Sequence, residues 1–384
     1  MIDVTRLVAR RLQGRLPTGV DRVGLAYIEY FRERALALVR FAGAWIFLSH
    51  RDSDRLFLLL LDAGASGGAK LRFWVAKNLL TQRLIEKPRG GILLNTGHSG
   101  LDTTDYGMRI QAFGLQSVFF VHDVIPLTHP EYCRAGESGR HRLRIDTVLR
   151  HGRGLIVNSE FTLGCLQEYS RRASCALPPH VVAPLAPPSF PEAEPNAPVD
   201  GAYFLLLGTL EPRKNHWLVL QVWRDLIARL GNATPRLVIV GQIGWNSENV
   251  IDLLERCDAI KSHVIHKPRC SDAELVTWLR HARALIFPSF VEGYGLPLVE
   301  ALSLGVPAIA SDLPAFREIA GNIPEYLSPI DGVGWRDMVI EYSREGSVWR
   351  ASQMARLTEF SIPSWKSHFS LAETLLERVD ASLA

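Results

Sequence analysis

Two short loops hold the residues whose types and spacing can do chemistry. In Gly208-Thr209-Leu210-Glu211-Pro212-Arg213-Lys214-Asn215, a glycine that permits a tight turn is followed by two adjacent cations, read as opening a helix. Free backbone N–H groups and the positive end of the peptide dipoles make such a helix start a diphosphate site. Helix formation alone prefers acidic residues there, so the placement is structurally costly; the plainer alternative is a solvated turn. The second loop, Phe287-Pro288-Ser289-Phe290-Val291-Glu292-Gly293-Tyr294-Gly295-Leu296-Pro297, runs into Leu298-Val299-Glu300-Ala301-Leu302. Glu292 stands on a glycine-rich turn where backbone amides can approach a ligand closely. Glu300 stands in an apolar stretch, where a carboxylate is expensive without a partner. The paired hydroxyls of a sugar are suitable, because one carboxylate accepts two hydrogen bonds at once. A loop carboxylate without a task and a helix residue facing water are the alternatives. Neither explains why both acids occur together with the glycines.

Both loops follow apolar runs. In the second half of the chain, Tyr203–Leu207, Leu237–Val240, Ala284–Phe287 and Ala308–Ala310 read as buried strands. Helical patterns cover His216–Leu230, Ser247–Cys257, Asp272–Ala282 and Pro297–Leu304. The first half repeats the scheme, with strands at Gly91–Leu94, Ser117–Val121 and Leu155–Val157 and helices at Val20–Arg34, Thr103–Phe113 and Phe161–Arg172. Strands that are apolar throughout, separated by helices, mean a parallel sheet covered on both faces. Residues 178–200 hold eight of the 22 prolines, which reads as a linker with one short strand around His180–Ala183. At 384 residues the chain is long enough for two domains. Two doubly wound sheets facing each other leave a cleft at the carboxyl ends of their strands, where ligands of such sheets bind.

The formal net charge of +3 gives wholesale nucleic-acid binding little support. The charge is divided, however: residues 1–195 carry 25 basic and 18 acidic side chains, and residues 196–384 carry 18 and 22. The basic half is a candidate for meeting something anionic. Five cysteines without a C-x-x-C pair fit reduced thiols of a cytoplasmic protein. The longest aliphatic and aromatic run, Leu56 to Leu61, is six residues, where a bilayer needs about 20. Asp52-Ser53-Asp54 forms a D-x-D, read as a helix N-terminus with solvated charges rather than a metal site. The histidines include no H-E-x-x-H, and no metal site is expected. Residues 69–87 combine Lys70, Arg72, Lys77, Arg83 and Lys87 with Phe73, Trp74 and Leu79, the pattern of a basic amphipathic helix that can lie on an anionic membrane or pack into the core.

Glu292 and Glu300, separated by seven residues within F-P-S-F-V-E-G-Y-G-L-P-L-V-E-A-L-S-L-G-V-P-A-I-A-S, resemble the retaining glycosyltransferases of family 4. G-T-L-E-P-R-K-N at 208–215 is similar to the donor-phosphate loop of that family, and L-V-I-V-G-Q-I-G-W at 237–245 also looks like it. P-T-G-V-D-R-V at 17–23, V-H-D-V-I-P-L-T-H-P at 121–130 and L-I-V-N-S-E-F-T at 155–162 resemble bacterial polysaccharide and O-antigen mannosyltransferases. Where many members carry two or more glycines in the first of these, this chain has only Gly19. The resemblance implies the α/β GT-B architecture: an acceptor-binding Rossmann-like domain over 1–190, a nucleotide-sugar-binding one over 191–363, and a C-terminal helix over 364–384 that crosses back onto the first.

It also implies roles. Arg213 and Lys214 would neutralise the donor diphosphate and Glu300 would bind the ribose hydroxyls. Glu292, with the backbone of Gly293, Tyr294 and Gly295, would hold the transferred sugar. Gly19 would let the N-terminal loop close on the phosphates, and His122 would lie near the anomeric carbon and the acceptor. Gly208 and Leu296 would line the donor site, and Lys267 and Pro268 would stand by the base. The expected activity is transfer of a hexose, mannose from GDP-mannose, to a glycan or lipid-linked glycan with retention of configuration and without metal or other cofactor. The expected place is the cytoplasm, with peripheral contact to an anionic membrane. A nucleotide-sugar epimerase can share the layout, and a non-catalytic scaffold of a glycan-synthesis complex is the third reading. A dinucleotide dehydrogenase is disfavoured, since no G-x-G-x-x-G follows an early strand.

Overall fold

The structure, a computed structural model, describes residues 1–41, 43–62, 71 and 90–381. The basic segment 69–87, apart from Leu71, therefore lies outside the described residues.

Short apolar strands build two sheets. The first holds β1 (Ile2–Asp3), β2 (Ala37–Phe41), β3 (Ala44–Phe47), β4 (Ile92–Asn95), β5 (Gln116–Val121), β6 (Gly152–Val157) and β7 (His180–Val182). Their order is β3-β2-β1-β4-β5-β6-β7, parallel except for the antiparallel edge pair β2–β3. The second sheet holds β8 (Tyr203–Leu207), β9 (Arg236–Val240), β10 (Val264–Lys267), β11 (Leu285–Phe287), β12 (Ala308–Ser311) and β13 (Glu325–Leu327) in the order β10-β9-β8-β11-β12-β13, all parallel. In each sheet the chain first winds to one side and then returns to the other. The order reverses between β1 and β4 and between β8 and β11, and ligands of open α/β sheets bind beside such reversals.

Helices α1 (Thr5–Leu12), α2 (Gly19–Phe31), α3 (His50–Leu61), α4 (Asp105–Ala112), α5 (Glu137–His151) and α6 (Glu160–Arg172) cover the first sheet. The second is covered by α7 (His216–Leu230), α8 (Glu248–Arg256), α9 (Asp272–His281), α10 (Leu296–Ser303), α11 (Pro314–Ala320), α12 (Gly332–Ser343) and α13 (Val348–Leu357). Each sheet is thus buried on both faces, and each face carries its own apolar cluster. The last helix, α14 (Trp365–Ala381), returns to the first sheet, where Phe369, Ala372, Leu375 and Val379 are buried. A Cβ at Gly154 would meet Val379 Cγ2 at 3.2 Å and Leu375 Cδ2 at 3.3 Å, so the absence of a side chain on β6 lets α14 lie this close.

The Asp52-Ser53-Asp54 segment lies in the opening of α3, whose N-cap Ser49 accepts a hydrogen bond from the Asp52 N–H at 3.2 Å. All five cysteines are free thiols. Among the described residues, no helix is long and apolar enough to cross a membrane, and no cluster of His, Cys, Asp and Glu has the arrangement of a metal site.

Candidate active site

The two motif loops flank the reversal of the second sheet, one after β8 and the other after β11. Gly208 leaves β8 with φ +149°. The loop then runs against the one after β9: the Gly208 N–H donates to the Val240 carbonyl at 3.0 Å, Leu210 to Gln242 at 2.9 Å, and Gly244 to Leu210 at 3.0 Å. A Cβ at Gly241 would stand 1.9 Å from the Gly208 carbonyl oxygen, which accounts for the glycine in G-Q-I-G-W.

Arg213 and Lys214 do not open α7, contrary to the sequence expectation. They sit on a 3₁₀ turn, Pro212–Lys214, and Asn215 at φ +57° breaks the chain before α7 begins at His216. Proline fixes one end of this turn and asparagine tolerates the left-handed conformation at the other. The Asn215 amide donates to the carbonyls of Pro288 at 3.2 Å and Pro329 at 2.7 Å, locking the turn against the loop after β11. Both cations therefore point at that loop. Arg213 Nη1 lies 2.5 Å from Glu292 Oε2, and its Nη2 lies 2.6 Å from Glu211 Oε1. Lys214 Nζ donates to Glu292 Oε1 at 2.6 Å, and Ser289 Oγ donates to the same oxygen at 2.7 Å. Burial alone would push the Glu292 carboxyl up, but Arg213, Lys214 and Ser289 overcome it and hold the group at about 2. Burial pushes the Lys214 ammonium down while Glu292 holds it up; beside so strong an acid the pair is charged on both sides.

Glu300 lies on α10 between Val299 and Ala301, both fully buried, and is itself 3% exposed. Its partner comes from the first domain. Arg22 Nη1 donates to Glu300 Oε1 at 2.7 Å, and Arg22 Nη2 reaches Asp272 Oδ1 at 3.2 Å. Burial pushes the Glu300 carboxyl up; Arg22 opposes that and Asp272 adds to it. The sequence reading gave Glu300 a sugar diol as its partner, and here a protein cation holds the carboxylate.

On the first-domain side, Thr18 and Asp21 form a capping box at the start of α2, and Arg6 Nε donates to Asp21 Oδ1 at 2.8 Å. Gly19, the first residue of α2, abuts α10, since a Cβ there would meet Leu296 Cδ1 at 3.3 Å. His122 directly follows β5, and its Nε2 lies 2.7 Å from the Thr96 carbonyl. Burial pushes this imidazole down to about 4, so at neutral pH it is uncharged and Nε2–H donates to Thr96.

The loop of Glu292 docks on these strand ends. The Gly293 carbonyl accepts from Ser159 Oγ at 2.7 Å and Thr162 Oγ1 at 3.1 Å. Beyond it, Tyr294 donates to the Leu185 carbonyl at 2.7 Å, and Gly295 turns at φ +134° into α10. Further contacts cross the same boundary. The Glu318 carboxylate accepts the N–H groups of Glu160 at 2.7 Å and Phe161 at 3.0 Å, capping α6, and Tyr132 stacks on Phe290 at 4.9 Å. A Cβ at Gly293 would stand 2.6 Å from both the His122 carbonyl oxygen and Asp123 Cβ. Gly293→Ala is therefore expected to wedge the domains apart and destabilise the protein by about 1–3 kcal/mol. Thermal unfolding and small-angle scattering check this, and wild-type values in both would show that the loop does not dock here.

The structure thus brings together Arg213, Lys214, Glu292, Gly208 and Gly293–Gly295 on one side, with Gly19 abutting Leu296 near Glu300 and His122 behind Gly293. Lys267 stands at the edge of this group, its carbonyl accepting the Gly241 N–H at 3.0 Å. Lys267 ends edge strand β10 rather than lying in a loop, and its charge lies over the Trp278 ring at 5.1 Å and 4.0 Å from Glu274. Sequence reasoning missed Arg22, whose signal was a cation in the first turn of a helix. It also missed His98, which stands between two glycines of the loop after β4.

Residues 191–323 match the family described as Glycosyl transferases group 1. Over 235 residues, 57% of this chain, the sequence is 29% identical to the serotype-specific mannosyltransferase WbdA of Escherichia coli. The match spans only 29% of that relative's length. O-antigen chain mannosyltransferase B of Escherichia coli is 31% identical over 166 residues, 43% of each chain. Among solved structures, Anabaena Alr3699/HepE in complex with UDP aligns with a TM-score of 0.62 at 14% identity, covering 94% of this chain and 96% of that one. Sucrose-phosphate synthase from Thermosynechococcus elongatus aligns at 0.59 and 14% identity, covering 84% and 82%. Residues 191–323 thus match a group 1 glycosyl transferase domain, and the two facing parallel-sheet domains of the chain have the GT-B architecture.

Proposed function

We propose that the protein transfers mannose from GDP-mannose to a glycan or lipid-linked glycan acceptor in surface-polysaccharide synthesis, retaining configuration and using no metal. The mannosyltransferase relatives support the sugar and the process. The observation that carries the reaction class is the pair of Arg213 and Lys214 on the buried Glu292, in a loop whose Gly293 packs against the His122 carbonyl. Breaking a sugar–phosphate bond leaves negative charge on the departing diphosphate, and two fixed cations away from water stabilise it strongly. In the free protein Glu292 and Glu211 balance those cations. An arriving diphosphate takes over Arg213 and Lys214, and Glu292 is released to the hydroxyls of the transferred sugar. Glu300 receives the ribose diol, and His122 faces the anomeric carbon. Gly19, at the N-terminus of α2, closes over the phosphates. The basic first domain is the side offered to a lipid-linked acceptor at an anionic membrane surface.

The test is a panel of GDP-, UDP- and ADP-sugars read by thermal shift, since a bound donor raises apparent stability by mass action. GDP-mannose is expected to give the largest upward shift, about 3 kcal/mol of added stability at a hundredfold excess over its dissociation constant. A larger shift with another nucleotide sugar would reassign the donor, and none with any would refute the donor site. Incubation with donor alone then separates transfer from epimerisation, which needs no acceptor.

A further inference from the structure

We propose that His98 binds the acceptor, its ring Nε2 forming a hydrogen bond with a sugar hydroxyl beside His122. The proposal rests on the glycosyl-transfer reading above and adds to it a residue on the side of the cleft away from the donor loops.

Its first support is position. The loop after β4 flanks the reversal of the first sheet, the counterpart of the place where the donor loops flank the second. His98 stands in that loop with φ +56°, a left-handed conformation that a residue with a Cβ rarely adopts and that recurs at functional sites. Its ring centroid is 5.4 Å from that of His122 and 5.8 Å from that of His141.

The second support is an orphaned atom. His122 Nε2 meets the Thr96 carbonyl at 2.7 Å and His141 Nε2 the Asp123 carbonyl at 3.2 Å. His98 Nε2 is buried and meets no protein partner. Buried polar atoms are nearly always paired, so an unpaired one at a sheet reversal marks a place where a ligand supplies the missing partner.

The chemistry of that ligand follows from the surroundings. Arg144 is engaged by Glu137 at 2.7 Å and faces Asp102 at 3.8 Å, and Arg6, which packs on Gly97, is paired with Asp21 at 2.8 Å. Burial and the neighbouring His122, His141 and Arg144 push the His98 ring well down, against a backbone hydrogen bond to Phe120, and keep it uncharged. A neutral imidazole whose neighbouring arginines are paired with carboxylates suits a hydroxyl rather than a phosphate.

The test uses the full chain, with GDP-mannose as donor and α-mannobiose as acceptor. His98→Ala is expected to raise the acceptor KM by about 5- to 100-fold, the loss of one buried hydrogen bond, and His98→Gln to recover part of it. GDP affinity, by calorimetry, stays unchanged. His98→Gly, which relieves the left-handed backbone, keeps the wild-type melting temperature or exceeds it. An unchanged acceptor KM in His98→Ala overturns the proposal, as does an equal loss of GDP affinity. If the wild type does not turn over GDP-mannose at all, the functional reading is what has failed. His98 is then read separately by ring ¹⁵N resonances: a shift of Nε2 on adding α-mannobiose supports the contact, and none overturns it.

Discussion

Lys214→Ala is expected to slow transfer by about 10²- to 10³-fold, the effect of removing one preorganised partner of a developing negative charge. Both Lys214 and Arg213 lie on the Glu292 carboxylate, so the loss has two components to be kept apart. One is catalytic, since the leaving diphosphate faces one cation instead of two. The other is structural, since Glu292 is buried and loses one of two counter-charges, and breaking a buried pair costs up to about 3–5 kcal/mol when nothing else compensates. Arg213, still 2.5 Å from Glu292, keeps the second component below that limit. Melting temperatures measure it directly. Glu292→Gln separates the components further, because it frees both cations from their competing carboxylate: GDP binds more tightly while transfer falls. If Lys214→Ala turns over within about threefold of wild type, leaving-group stabilisation does not come from this residue.

This cluster was legible in the sequence because its members are local. Gly208 to Asn215 and Phe287 to Glu300 are continuous stretches after apolar strands, and the four strands and four helices read in the second half lie within about two residues of their expected ends, while β10, β13 and α11 to α13 were not read. The first domain was read less completely. β1 is two residues long and carries no periodicity, and β2 and β3 form an antiparallel edge pair that a search for βαβ units passes over. Helix α5 is absent from the sequence reading, although its buried residues His141, Ile145, Val148 and Leu149 repeat at helical spacing. What no local pattern could give is pairing at a distance. Arg22 and Glu300 are 278 residues apart, and only the folded chain shows that the partner of the buried acid lies in the other domain.

That pairing gives the second large effect. Arg22→Gln is expected to weaken GDP binding by about 10- to 100-fold near neutral pH, comparable to losing a charge-assisted hydrogen bond. Ribose hydroxyls donate best to an ionised carboxylate. Burial and Asp272 push the Glu300 carboxyl up, and Arg22 is the group that opposes them. Removing Arg22 raises it further, so Glu300 takes up its proton at a higher pH than in the wild type. Affinity is lost as pH falls through the Glu300 titration, and the deficit of the variant widens toward the acid side. Glu300→Gln, which does not titrate, lacks this acid-side limb. Calorimetry with GDP across that titration reads both the size and the slope. Tighter binding in Arg22→Gln would mean that Arg22 blocks the ribose, and parallel pH curves would mean that it does not govern Glu300. Because Arg22 rides on α2 directly behind Gly19, the ionisation of Glu300 depends on the first domain being in place. With Glu300 in the proposed ribose role, recognition of the donor and contact between the domains share one ion pair, and a donor bound to the second domain is expected to be held fully only when α2 is in place.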